Sequence, residues 1–153
     1  MAVKQFMMDG VEPISPNKTV LDAALSMKKL NLGTLPVIDE TSKIIGILTD
    51  RDIVVRVIAE NLPMTTQIKD VMTKPVHVIK ESSEIGVAIS KMAEKKVRRL
   101  PVIDENEKIS GIISIGDLML HQLTDARAGF ALKEISEITS DPNNDLEVDD
   151  FPL

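Results

Sequence analysis

The sequence predicts an α/β (α+β) fold, two β-α-β-β-α repeats packed as a pseudo-twofold pair, followed by a C-terminal helix and an acidic tail. Three observations lead there. Sliding the chain by 65 residues lays TLPVIDETSKIIGILTDRDI on RLPVIDENEKISGIISIGDL without a gap, and seventeen positions are identical between the copies. Apolar residues recur at helical spacing ahead of each LPVID run, while the runs themselves read as strands. The 153 residues are 43% hydrophobic, enough for one compact domain or two small halves sharing a core.

Each copy opens on a short extended piece, VEPI at 11–14 and VHVI at 76–79. A helix follows. Its apolar face is read as Val20, Ala24, Leu25 and Met27 in the first copy, and as Ile85, Ala88, Ile89, Met92 and Ala93 in the second. LPVID comes next, with its proline near the start, as a strand entry or edge allows. A polar turn, ETSK or ENEK, leads to a second strand, IIGIL or ISGII. The unit closes on a helix from Asp50 to about Glu60, and from Ile115 to about Thr124. The boundaries that follow are a first repeat at 1–60, a linker NLPMTTQ at 61–67, and a second repeat at 68–125. A helix at 126–140 then carries Ala128, Ala131, Leu132, Ile135 and Ile138 on one face, and an acidic tail occupies 141–153. Two copies suit a paired module rather than a solenoid, which needs three or more.

Composition narrows the function. Aromatic residues make up 2% of the chain, so stacking platforms for single-stranded nucleic acid are nearly absent. The net charge is −6; five acids of the tail account for most of it and leave the remainder near −1, which offers no broad positive face for a phosphate backbone. Nucleic acid is therefore disfavoured as a primary partner. The absence of cysteine excludes disulfides, thiolate metal sites and thiol nucleophiles. No run approaches the ~20 apolar residues of a membrane span, and the N-terminus lacks a signal-peptide pattern, so the protein is expected to be soluble and cytoplasmic.

The recurring GILTDRD and GIISIGD stretches carry the candidate chemistry. Thr49 with Asp52, and Ser114 with Asp117, have the spacing of a capping box, which satisfies helix amides without any ligand. The same geometry admits a second use. A strand gives way to a helix there, free amides and a hydroxyl favour an anion, and a carboxylate one turn on can accept hydrogen bonds from two ribose hydroxyls. Gly46 and Gly111, lacking side chains, leave space for a ligand or for a neighbouring strand.

The doubled LPVID…GILTDRD and LPVID…GIISIGD pattern resembles a tandem pair of cystathionine-β-synthase (CBS) domains, over about residues 3 to 124. Both copies match the glycine, apolar, any, Thr/Ser, two residues, Asp motif of that family. The resemblance implies two clefts between the halves that hold AMP, ADP, ATP or S-adenosyl compounds. Asp52 and Asp117 would hold ribose hydroxyls, and Thr49 and Ser114 would lie near phosphate. It also implies a regulatory module with no required cofactor.

Arg98 and Arg99 precede the second LPVID where the first copy has Gly33 and Thr34. Arginine suits bidentate phosphate contact. Strand alternation sends only one of the two into a cleft, with Arg99 favoured; the alternative is a solvated basic patch with Lys91, Lys95 and Lys96. The second motif also replaces Asp50 and Arg51 with Ile115 and Gly116, removing a repulsive charge near any phosphate, so the cleft lined by Ser114, Asp117 and the arginines is the better nucleotide site. His77 would line an adenine pocket by the same resemblance. No metal site is expected. His121 is read as a surface residue, and the methionines as core filler.

No nucleophile with an adjacent base, Walker-type loop or HExxH is present, so the chain is not read as an enzyme. The expectation is a stand-alone regulatory pair, forming a homodimer, that binds an adenine nucleotide or adenosyl ligand and signals to a partner protein. Its rivals are a ligand-free dimerisation or assembly module, a nucleotide-processing enzyme and a nucleic-acid-binding regulator.

Overall fold

The structure, a computed structural model, describes residues 1–123, with side chains through residue 120. Its two compact units are Met1–Ile115 and Gly116–Leu153, described separately. The helix expected at 126–140 and the tail at 141–153 lie outside the described residues.

In the first unit, a 3-10 turn at Val3–Gln5 precedes helix α1 (Val20–Leu30). Strands β1 (Thr34–Ile38) and β2 (Ile44–Thr49) form an antiparallel hairpin. Helix α2 (Asp50–Ile53) runs on into a wider π-helical stretch, Val54–Ile58, so the helix expected to about Glu60 ends slightly early. The second repeat contributes α3 (Ile68–Val71), β3 (Ile79–Lys80), α4 (Ile85–Lys95), β4 (Arg99–Ile103) and β5 (Ile109–Ser114). β3 pairs parallel with β4, and β4 pairs antiparallel with β5. Both hairpins carry the same register irregularity, after Val37 and after Val102. Helix α5 (Ile115–Leu123) supplies the described part of the second unit, in which Leu118 is buried. No helix among the described residues is long and apolar enough to cross a membrane.

The repeated aspartate that ends LPVID shapes a turn. The Asp39 carboxylate accepts the Thr41 and Lys43 amides at 2.9 and 3.0 Å, and the Asp104 carboxylate accepts those of Asn106 and Lys108 at 2.8 and 2.9 Å. The Thr41 hydroxyl, with the Lys43 and Thr41 amides, holds the Asp39 carboxyl below its ordinary value. Such Asx turns let the chain reverse without glycine, although Ser42 and Glu107 still adopt positive φ, at 66° and 61°.

Three expectations change. VEPI forms no strand and keeps a single parallel bridge, Ile14 to Val37, while VHVI shortens to Ile79–Lys80. On α1 the inward face is Val20, Ala23 and Met27; Leu25 is 56% exposed, because it lies on the opposite side of the helix. On α4, Ala88 and Met92 are buried and Ala93 is exposed.

The leading segment of each repeat packs on the other repeat. The Ile68 amide donates to the Lys18 carbonyl at 2.9 Å, and its counterpart Val3 donates to Ser83 at 2.8 Å. Thr73 bridges to Ile47, and its counterpart Met8 bridges to Ile112. Thr19 bridges to Gln67, and the matching pair is Ala2 with Glu84. Lys43 bridges to Lys108, each being the other's counterpart in the repeat, as expected at a pseudo-twofold axis. The first half's core accordingly joins Leu35, Val37 and Leu48 to Ile68, Val71 and Met72 from beyond the linker. Fully burying side chains of this size contributes ~1.5–3 kcal/mol each.

Gly46 and Gly111 permit this exchange. A Cβ on Gly46 would collide with the Met72 sulfur and come within 3.0 Å of Met72 Cγ; one on Gly111 would meet the Met8 carbonyl oxygen at 2.5 Å. The neighbouring-segment reading of these glycines has direct support, since atoms of the opposite repeat occupy the space a side chain would need. Gly111→Ala should destabilise by about 1–3 kcal/mol and by more than Gly46→Ala, because Met8 opposes it with backbone and Met72 with a flexible side chain; urea unfolding of the two variants measures the order.

Candidate nucleotide site

At the end of the β1–β2 hairpin opposite its turn, Thr34 pairs in register with Thr49, and the chain enters α2. The Thr49 hydroxyl accepts the Asp52 amide at 3.1 Å, and the Asp52 carboxylate accepts the Thr49 amide at 3.0 Å. This is the reciprocal capping box anticipated from the spacing. α1 starts identically, with Thr19 and Asp22 exchanging bonds of 3.1 and 2.9 Å. There the Thr19 amide, then its hydroxyl, holds the Asp22 carboxyl below its usual value.

Asp52 differs from Asp22 in its surroundings. It is 8% exposed, and both carboxylate oxygens accept the Thr73 hydroxyl at 3.1 Å. The Arg56 guanidinium lies 3.6 Å away and donates to the Val71 carbonyl at 2.9 Å. Thr73 and Arg56 were not singled out from sequence, because Thr73 reaches Asp52 only through the segment exchange and no motif marks that. Asp50 sits over Gly33: its amide donates to the Gly33 carbonyl at 3.0 Å, and a Cβ on Gly33 would lie 2.7 Å from its carboxylate.

The second hairpin keeps the backbone and changes the charge. The Ile115 amide donates to the Arg98 carbonyl at 2.9 Å, matching Asp50 and Gly33, and Arg99 pairs in register with Ser114. Arg98 and Arg99 are both exposed, and neither side chain forms an ion pair or hydrogen bond among the described residues. Carboxylates crowd the first hairpin end where two free guanidinium groups stand at the second. Asp117 lies in the first turn of α5. His77 lies beside α4: the Lys91 ammonium donates to the adjacent Val78 carbonyl at 2.6 Å. Glu94 on the same helix is held below its usual value first by Lys95, with smaller help from Lys91 and His77.

A CBS-domain family model matches twice, at residues 3–59 and 68–123. The chain belongs to the CBS-domain family. This CBS pair is 38% identical over 136 residues to the uncharacterised protein YlbB of Bacillus subtilis (strain 168), spanning 88% of this chain and 91% of that protein. The crystal structure of CBSX2 in complex with AMP matches it with a TM-score of 0.68 at 27% identity, over 82% of this chain and 98% of that one. The CBS pair of protein MJ0100, in complex with 5-methylthioadenosine and S-adenosyl-L-methionine, matches with a TM-score of 0.66 at 28% identity, over 77% and 92%. CBS pairs are in general regulatory rather than catalytic.

Thr34 tests the first hairpin end of the CBS pair directly. It is 5% exposed, and its buried hydroxyl finds no partner among the described residues. An unsatisfied buried hydroxyl costs about 1–3 kcal/mol, and a same-shaped apolar replacement removes that cost. Thr34→Val should therefore raise the urea midpoint of the free protein; a fall would mean that the hydroxyl has a polar partner in solution.

Proposed function

We propose that the protein is a regulatory CBS pair that binds an adenine nucleotide or S-adenosyl compound at the second hairpin end and signals to a partner protein. One observation carries the choice of end: Arg98 and Arg99 stand unpaired among the described residues beside Ser114, where the first repeat has Gly33, Thr34 and the Asp50 carboxylate. Anionic phosphate is attracted by the former and repelled by the latter. The motif assigns the sugar hydroxyls to Asp117, and His77 remains the candidate for the adenine side. The adenosyl ligands of CBSX2 and MJ0100 support the ligand class.

Signalling in this reading is differential binding. A ligand that prefers one arrangement of the two repeats raises its population, and the partner reads that arrangement. β5 carries the ligand-side Ser114 and also receives Met8 of the exchanged segment at Ile112, so a shift of β5 reaches the N-terminus of the chain. We further assign a homodimer to the apolar surface left by Leu21 and Leu25 on α1 and by Val54, Val55 and Ile58, since α1 packs on α2.

Calorimetry with AMP and adenosine tests the assignment. Arg99→Ala should weaken AMP about 10–100-fold, the equivalent of a charge-assisted hydrogen bond, and leave adenosine within about twofold. Asp117→Ala should weaken both. Wild-type protein indifferent to adenosine, AMP, ATP and S-adenosylmethionine at millimolar concentration would favour the ligand-free assembly module instead, and native mass spectrometry reads the subunit count in either case.

A further inference from the structure

The two CBS motifs share a sequence pattern, but the segments packed on their hairpins carry different side chains, Thr73 at Ile47 and Met8 at Ile112. Around Asp52 stand the Thr49 amide at 3.0 Å, the Thr73 hydroxyl at 3.1 Å from both oxygens, and the Arg56 guanidinium at 3.6 Å. At the repeat offset, Thr73 corresponds to Met8 and Arg56 to His121, so the Thr73 hydroxyl has no counterpart in the segment that packs on the second hairpin. Thr73 is itself fixed by two backbone hydrogen bonds with Ile47, at 2.8 and 3.0 Å, and Arg56 bonds the Val71 carbonyl in the same segment at 2.9 Å. The Asp52 carboxylate thus has two hydrogen-bond donors and an ion-pair partner within the protein, with which a ligand would have to compete.

We propose that Asp52 is a latch rather than a ligand contact: Thr73 and Arg56 engage it to fasten the second repeat's leading segment onto the first repeat, and so withdraw the first motif from nucleotide binding. The chain then takes one adenylate, at the second motif, a stoichiometry that rests on the nucleotide reading above. A ribose at the first motif would have to displace the Thr73 hydroxyl, and its phosphate would meet the Asp50 carboxylate over Gly33. Asp52 is a positioning residue in this account, and Thr73 is the residue that separates the two sites.

Calorimetry with AMP and thermal unfolding of the full chain test this together. Wild type should bind one AMP per chain. Asp52→Asn should leave the AMP affinity within about twofold and lower Tm by about 4 °C, the shift expected of one lost polar interaction in a domain of this size. Thr73→Val should lower Tm similarly, Thr73→Ser should restore it, and the Asp52→Asn/Thr73→Val double variant should melt no lower than the worse single variant. Two AMP per wild-type chain, a tenfold loss of affinity in Asp52→Asn, or additive Tm losses would overturn the latch. If wild type binds no adenylate at all, the nucleotide reading fails, and the latch is then judged on the thermal cycle alone.

Discussion

Two glycines, each facing a strand of chain from the opposite repeat, set the architecture. Gly46 lies under Met72, and Gly111 lies under Met7 and the Met8 backbone. A side chain at either position would hold the exchanged segment off its host hairpin. The segment brings more than backbone bonds: Ile68, Val71 and Met72 complete a core that Leu35, Val37 and Leu48 cannot close by themselves. The first repeat is therefore not a finished folding unit by itself.

The exchange also explains how two halves built on one backbone plan differ. A duplicated backbone gives each hairpin the same register and the same irregularity. What differs is the side chain each incoming segment delivers, a threonine to the first half and a methionine to the second, and the charge at the hairpin's open end. In the first half a hydroxyl and a guanidinium engage the aspartate, and a second carboxylate sits over Gly33. In the second half Ile115 replaces that carboxylate, and two arginines stand without ion pairs among the described residues. Charge distinguishes the two hairpin ends, and backbone shape does not.

Much of this was legible in the sequence. The offset of 65 residues located both hairpins and the capping box of Thr49 and Asp52, because identical runs in the two copies impose the same local geometry. The contrast of Arg98 and Arg99 with Gly33 and Thr34 was visible without coordinates. The helix faces were only partly legible: Leu25 is as apolar as a core residue, yet the packed face of α1 is set by Val20, Ala23 and Met27. VEPI reads as a strand by composition, but Pro13 has no amide to donate and a single bridge at Ile14 is all that forms. The donors on Asp52 were hidden because Thr73 matches nothing at its repeat position. The reciprocal use of the leading segments has no local signature, since it depends on which hairpin each segment meets in space.

Amide hydrogen exchange on the intact protein tests the central claim, that both leading segments are integral to the opposite repeats. The informative amides are Met8 and Ile112, with mutual bonds of 2.8 and 3.0 Å, and Thr73 and Ile47, with bonds of 2.8 and 3.0 Å. The account predicts that all four exchange only through an opening comparable to global unfolding, despite the closeness of Met8 to the chain terminus. Rapid exchange at Met8 and Ile112, as in a frayed end, alongside protection at Thr73 and Ile47 would contradict it.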